Sequence, residues 1–231
     1  RDTADVLNSV AIGTSSTKLL AIVANTRGAF DACKFESVSY LGFPLSLSET
    51  FQERNTNKSI REALNVLEEI KNECVKHNKQ LVTYISMGFG NPYDDPYDPD
   101  LVLGFVDVLK TLGSNIISIA DTIGASTAES VSFLFGLLTK QYPGLEIGAH
   151  LHSTPYTATE KIEAAYKAGC KRFDGAILGF GGCPMAKDEL VGNLATEKIL
   201  DYLQSEGVKP DINPIEFAKA LQLAAEIFPN H

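Results

Sequence analysis

The sequence has few of the features that mark several large classes of protein. Its four cysteines, Cys33, Cys74, Cys170 and Cys183, show no C-x-x-C spacing, which argues against a zinc ribbon and a disulfide framework. No stretch reaches the roughly 18 consecutive apolar residues that a membrane span needs. Only 20 Lys and Arg stand against 29 Asp and Glu, and the net charge of −9 argues against a surface for nucleic acid or anionic membranes.

The composition is otherwise that of an ordinary globular protein. Hydrophobic residues make up 44% and charged residues 21% of the 231 positions, and no low-complexity linker interrupts them. We therefore expect one domain, residues 1–231. The scattered cysteines favour a reducing compartment, so we expect the cytoplasm or, in a eukaryote, the mitochondrial matrix.

Short apolar runs alternate along the chain with amphipathic segments of helical length. The apolar runs predict strands at residues 19–24, 37–42, 81–86, 116–120, 147–152 and 173–178. Helical spacing predicts helices at residues 2–10, 59–77, 99–112, 126–141 and 158–169. Residues 25–28 are interpreted as a polar loop and residues 91–100 as an acidic surface loop. The alternation predicts an α/β fold with a parallel sheet.

Two histidines end the fifth predicted strand. Side chains of an extended strand alternate between its faces, so His150 and His152 point the same way and present two imidazoles to one site. Two imidazoles form half of a metal site. The alternative is a pair of polar side chains that are satisfied by hydrogen bonds.

A glycine-rich segment, residues 179–184 (GFGGCP), follows the last predicted strand. The glycines and the proline around Cys183 indicate an exposed, mobile loop rather than a core position. Asn193 follows ten residues after this cysteine and offers an amide oxygen, which is a hard ligand. With His150 and His152, this oxygen donor suits a divalent ion such as Mg²⁺, Mn²⁺ or Zn²⁺.

These motifs resemble those of the hydroxymethylglutaryl-CoA lyases. The resemblance rests on residues 178–187 (LGFGGCPMAK), residues 192–197 (GNLATE) and the histidine pair, and it extends to residues 120–124 (ADTIG) and 90–93 (GNPY). The family belongs to the metal-dependent lyases and Claisen-type synthases that are built on a TIM barrel. The Gly-Gly-Cys-Pro loop favours the lyases over the synthases.

The resemblance implies a TIM (β/α)8 barrel of which only about six βα units are present. It places the first residues in the helix after the second strand, so the first two strands would lie outside this sequence. In the family these strands carry an Arg-Asp pair and a glutamate. Arg1 and Asp2 are not that pair, because no strand precedes them and residues 3–5 do not continue the family pattern.

The resemblance also implies a reaction and the residues that perform it. The reaction is cleavage of 3-hydroxy-3-methylglutaryl-CoA to acetyl-CoA and acetoacetate. Similarity assigns His150, His152 and Asn193 as ligands of a divalent metal, with Mg²⁺ or Mn²⁺ preferred, and places His150 and Cys183 among the catalytic residues. Cys183 would handle a proton from its loop. The expected partners are an acyl-CoA and a second copy of the chain, with no nucleic acid or membrane.

Two other functions remain open from the sequence. A related synthase or aldolase would use the same histidine pair to join an enolate to a keto acid, and an inactive remnant would only bind a partner or a CoA ligand. The role of Asp121 is also open, since it either orients a ligand or substrate or caps the following helix. Ser153 stands where many relatives have an acidic or amide residue. His77 and His231 are interpreted as residues without a function.

Overall fold

Six parallel strands form one curled sheet in the computed structural model, which describes residues 2–10, 13, 15–182 and 191–228. Each strand pairs with the next one along the chain, so the order in the sheet is the order in the sequence. The strands are β1 Leu19–Ile22, β2 Val38–Ser46, β3 Gln80–Ser86, β4 Ile116–Ala120, β5 Glu146–His150 and β6 Arg172–Phe173. This arrangement is part of a TIM barrel and confirms the predicted fold class.

Helices follow most of the strands. They are α1 Thr3–Ser9, α2 Thr26–Cys33, α3 Glu49–Thr56, α4 Ile60–Lys76, α5 Pro99–Thr111, α6 Ala128–Gln141, α7 Ala158–Lys167, α8 Thr196–Ser205 and α9 Pro214–Ile227. The predicted starts of α4 and α5 are confirmed by their caps. Ser59 and Glu62 form a capping box, and Asp98 accepts the Asp100 N–H just before Pro99.

The hydrophobic core lies between the sheet and the helices that cover it. Strand β4 is buried at every position, as its sequence of four apolar residues and Ser118 predicts. The largest fully buried side chains include Phe43, Leu67, Ile85 and Phe135. Burial of each such side chain contributes about 1.5–3 kcal/mol. No helix among the described residues is both long and apolar enough to cross a membrane.

The predicted sixth strand is wrong beyond Phe173. Strand β6 ends there, and Ile177–Gly179 form a 3₁₀ helix in which Leu178 has a φ of 58° and Gly179 a φ of 69°. The physical reason is a change of partner, because Ala176 forms a bridge with Ala195 from the segment that returns after the glycine-rich loop. The apolar run of residues 176–178 therefore packs against that segment instead of extending the sheet.

The predicted polar loop at residues 25–28 is also wrong. Helix α2 starts at Thr26, and the Asn25 side chain caps it by accepting the Gly28 N–H at 2.8 Å. The sequence also gave no prediction of α3, α8 and α9. Residues 91–98 do form a loop, as expected, and α5 begins at Pro99.

Candidate functional site

The carboxyl ends of the strands surround a cavity of about 700 Å³ on the inner side of the curled sheet. Its polar lining comes from side chains after several strands, which is where TIM barrels place their active sites. These lining residues include Tyr84, Ser86, Thr122, His150, His152 and Asn193. The apolar part of the wall includes Leu20, Ile22, Pro44 and Phe51.

The two histidines lie side by side, as the sequence predicts. Their ring centroids are 5.7 Å apart, and the ring planes are inclined by 55°. The predicted cause needs correction, because β5 ends at His150 and His152 lies beyond the strand. His152 is instead held in an antiparallel bridge with Asn193. The second histidine and the asparagine therefore reach the cavity together.

The main-chain carbonyl of Val191 fixes the tautomer of His152. Nδ1 lies 3.0 Å from this oxygen, and since a carbonyl can only accept, Nδ1 must carry the proton. The lone pair then resides on Nε2. Burial, followed by the neighbouring His150, lowers the pKa of His152 and favours the neutral ring. A neutral imidazole with a deprotonated Nε2 is the form that binds a metal ion.

His150 lies beside a half-buried carboxylate. Its Nδ1 is 3.3 Å from Oδ2 of Asp174, although the two atoms are not aligned as a hydrogen bond. Burial opposes ionisation of Asp174, but His150, Arg172 and Ser118 together lower the pKa of this carboxyl. The rings of Tyr84 and His150 are nearly perpendicular, with an interplanar angle of 80° and centroids 5.6 Å apart. Burial and then Asp174 raise the pKa of Tyr84 to about 12, so its hydroxyl stays protonated.

Asn193 is fixed through its amide nitrogen. Nδ2 donates to the Phe180 carbonyl at 2.9 Å, and the backbone N–H donates to the Gly179 carbonyl at 3.1 Å. The other polar atom of the side chain is the carboxamide oxygen, a ligand of the kind that Mg²⁺ and Mn²⁺ prefer. The site thus offers two imidazoles and one amide oxygen at a single cavity.

Of the two roles that the sequence left open for Asp121, the structure excludes the cap of α6. Asp121 is 1% exposed and accepts the backbone N–H of Ser126 at 3.2 Å and the hydroxyl of this serine at 2.5 Å, just before α6. The cap of α6 itself is Thr127. Asp121 also pairs with Lys161 at 3.0 Å, and Lys161 donates to the main-chain oxygen of His152 at 2.8 Å. Asp121 therefore does not line the cavity itself and contacts His152 through Lys161.

Cys183 lies outside the described residues, as does His231. Gly182 lines the cavity, so the described part of the glycine-rich loop reaches the site. His77 is at the surface, where its Nε2 lies 3.7 Å from Glu73, and it does not line the cavity. Within the part of the chain that the structure describes, no three side chains of His, Cys, Asp or Glu are grouped to hold a metal. A metal here would thus depend on the two histidines and on Asn193.

Sequence reasoning missed Asp174 and Lys161. Asp174 was detectable in principle. It lies two residues after Arg172, and side chains two residues apart in an extended strand point to the same face of the sheet. Lys161 gave no such indication, since a lysine in an amphipathic helix is usually on the solvated face.

Comparison with known proteins shows which proteins this chain is similar to. The HMGL-like family profile matches residues 2–224. The hydroxymethylglutaryl-CoA lyase YngG of Bacillus subtilis is 33% identical over 192 residues, which cover 83% of this chain and 64% of the relative. A 3-hydroxy-3-isohexenylglutaryl-CoA/hydroxymethylglutaryl-CoA lyase of Pseudomonas aeruginosa is 32% identical over 183 residues, or 79% and 60% of the two chains.

A solved structure shows the same architecture. The crystal structure of the HMG-CoA lyase of Bacillus subtilis superposes with a TM-score of 0.90 at 30% sequence identity, and the match covers 99% of this chain and 76% of that one. The chain spans slightly less than two thirds of the length of the two curated relatives. The profile match over nearly all residues establishes that the chain belongs to the HMGL-like family.

Proposed function

We propose that this protein cleaves 3-hydroxy-3-methylglutaryl-CoA to acetyl-CoA and acetoacetate. The observation that carries the proposal is the convergence of His150, His152 and Asn193 on one cavity at the carboxyl ends of the strands. Both named curated relatives are hydroxymethylglutaryl-CoA lyases, which supports the same reaction class here. The substrate is thus an acyl-CoA.

We infer that these three side chains hold a divalent cation, Mg²⁺ or Mn²⁺. The fit rests on their orientation, because Nδ1 of His152 and the amide nitrogen of Asn193 are both bonded to main-chain carbonyls. The atoms that remain are the ones that coordinate metals. When bound, such an ion lowers the free-energy cost of the alkoxide that forms from the substrate's C3 hydroxyl.

The protein side chains then have two tasks, which are to orient the substrate and to supply a proton. The C3 hydroxyl gives its proton to solvent water, the C2–C3 bond breaks, and the electron pair of this bond moves onto the thioester as an enolate, while C3 becomes the ketone of acetoacetate. His150 and His152 orient the reacting end of the substrate. Cys183 donates a proton to C2 of the enolate and so releases acetyl-CoA. Solvent water later returns a proton to the Cys183 thiolate. A thiol with an ordinary pKa of about 8.5 holds this proton near neutral pH.

Further aspects of the proposal follow from the sequence. Residues 1–231 act as one catalytic domain of partial barrel form, in the cytoplasm or the mitochondrial matrix, and two copies associate as a homodimer. The cavity wall of Leu20, Ile22 and Pro44 suits a small branched acyl group, since these side chains offer apolar contact.

A product assay separates this proposal from the synthase or aldolase reading. The protein is incubated with 3-hydroxy-3-methylglutaryl-CoA and Mg²⁺, and in parallel with acetyl-CoA and a 2-keto acid. We expect acetoacetate and acetyl-CoA in equal amounts from the first mixture and no free CoA from the second. His152→Ala should abolish the products, whereas His77→Ala, the surface control, should keep them. Condensation in the second mixture without cleavage in the first would refute the proposal.

A further inference from the structure

The main-chain oxygen of His152 lies outside the hydrogen-bond ladder of the sheet. Strand β5 ends at His150, and two other bonds hold the bridge to Asn193. Leu194 N–H donates to the Leu151 carbonyl at 3.1 Å, and Ser153 N–H donates to the Gly192 carbonyl at 2.9 Å. Neither bond uses the His152 carbonyl. A buried carbonyl of this kind needs another donor.

Lys161 supplies that donor from α7. Its side chain is 4% exposed, and Nζ lies 2.8 Å from the His152 oxygen. Oδ2 of Asp121 lies 3.0 Å from the same nitrogen and balances its charge. The backbone N–H of Asp121 in turn donates to the His150 carbonyl at 2.9 Å. The ion pair therefore contacts the main chain of His152, and the backbone of Asp121 contacts that of His150.

We propose that Lys161 is a positioning residue for His152. Its ammonium fixes the His152 carbonyl, so that the ring meets the Val191 carbonyl through Nδ1 and presents Nε2 to the cavity. The inference deepens the proposed function and rests on it only for the role of His152 as a metal ligand.

A purely structural role makes a different prediction. If Lys161 only neutralised the buried carboxylate of Asp121, removal of both charges together would leave His152 in place. If Lys161 positions His152, the same double change leaves the carbonyl without its donor. The double variant Asp121→Asn/Lys161→Met therefore distinguishes the two roles, since no buried charge stays unpaired in it.

The test compares the double variant with the single variant Asp121→Asn, which keeps the ammonium. In the metal-free protein, nitrogen-15 NMR of the histidine side chains reports which ring nitrogen of His152 carries the proton. We expect one tautomer, protonated at Nδ1, in the unaltered protein and in Asp121→Asn, and a mixture in the double variant. Manganese titration should show a dissociation constant about tenfold higher in the double variant.

The control Ile162→Val perturbs the fully buried neighbour of Lys161 and should change neither readout. An unchanged His152 tautomer in a folded double variant would overturn the inference. The NMR result needs no metal, so absence of Mn²⁺ binding by the unaltered protein would refute the proposed function and leave the inference on Lys161 to be decided by the tautomer.

Discussion

Two side chains at the candidate site have one polar atom hydrogen-bonded to the main chain. Nδ1 of His152 meets the Val191 carbonyl, and Nδ2 of Asn193 meets the Phe180 carbonyl. These bonds leave Nε2 and the amide oxygen as the atoms that the proposed metal ion would contact. Preorganisation of this kind lowers the entropy that ordering the ligands would otherwise cost.

Removal of one imidazole tests this arrangement. We expect His152→Ala to weaken Mn²⁺ binding by at least about tenfold, because one of two nitrogen ligands is lost. The measurement is a titration of free Mn²⁺ by electron paramagnetic resonance. His77→Ala removes a surface imidazole and should bind Mn²⁺ like the unaltered protein. Equal binding by His152→Ala and His77→Ala would show that Mn²⁺ binds elsewhere.

Among single residues, the sequence identified those whose side-chain type and motif indicate a functional role. The proximity of His150, His152 and Asn193 to one cavity agrees with the motif-based prediction. The contact between Lys161 and His152 joins a helix to a loop nine residues away, and no spacing rule encodes it. The metal and catalytic roles of His150, His152 and Asn193, like the role of Cys183, stay predictions.

Elements differ in how well their own residues determine them. Strand β4 and helices α4 and α5 were predictable, because local burial patterns and caps agree with the tertiary structure. Residues 174–178 were not, because their apolar pattern is satisfied by the returning segment that contains Ala195. Helix α2 was missed because a short polar start was taken for a loop.

Gly192 is required by the close approach of two segments at the site. A Cβ at this position would lie 2.8 Å from the Gly179 carbonyl oxygen, which is backbone and cannot move aside cheaply. We expect Gly192→Ala to lower the free energy of unfolding by about 1–3 kcal/mol and to weaken Mn²⁺ binding. Chemical denaturation and Mn²⁺ titration measure the two effects.

The matched control is Gly104→Ala in α5, where a Cβ would meet nothing within 4 Å. It should stabilise the protein by about 0.5–1 kcal/mol, since alanine favours helix. An unchanged free energy of unfolding in both variants would contradict the close approach of Gly192 to Gly179.

The acidic loop is anchored to the start of α3 by Asp95. Its carboxylate accepts the Ser48 hydroxyl, the Thr50 N–H at 2.9 Å and the Thr50 hydroxyl at 3.0 Å. These bonds, led by the one from Ser48, lower the pKa of Asp95. Phe51, which lines the cavity, stacks on Tyr93 of the same loop at 6.4 Å. The loop thus supports one wall of the site.

The lowered pKa predicts a pH-dependent contribution to stability. A carboxyl with a depressed folded-state pKa stabilises fully above its unfolded value, about 3.9, and loses this contribution as pH falls through that value and then through the folded one. We expect Asp95→Asn to lower the free energy of unfolding by about 1 kcal/mol at pH 7 and by less at pH 3.

Urea denaturation at pH 7, 5, 4 and 3 measures this difference. Asp94→Asn, an exposed neighbour with a φ of 59° that asparagine tolerates, is the control and should show no such trend. A stability difference for Asp95→Asn that grows as the pH falls would contradict the assignment.

At the scale of the whole fold, the sheet has two edges in the part of the chain that the structure describes. Among the described residues, β1 and β6 each pair with one strand only, so the curled sheet does not close on itself. Ile22 on β1 is 61% exposed. Unpaired edges with exposed apolar side chains are templates for association with another chain. The parallel α/β arrangement followed from the sequence pattern, and the curvature followed from the resemblance to the lyase family.

A charged substitution on β1 tests whether this edge of the sheet mediates self-association. We expect the 231-residue chain to self-associate at micromolar concentration and Ile22→Lys to weaken this association by about tenfold, because charged edge residues oppose strand pairing. Sedimentation velocity gives the dissociation constants. Val75→Lys changes an equally exposed apolar residue on α4 and should have no effect. An equal effect of the two substitutions would exclude association through the β1 edge.

The most direct test of the proposed activity is release of acetyl-CoA from 3-hydroxy-3-methylglutaryl-CoA, followed with Mg²⁺ or Mn²⁺ and again after addition of a chelator. We predict release that depends on the metal, stops with the chelator and resumes when excess metal is restored. Release that persists in the chelator, or none from protein with Mn²⁺ bound at His150 and His152, would contradict a metal-dependent lyase.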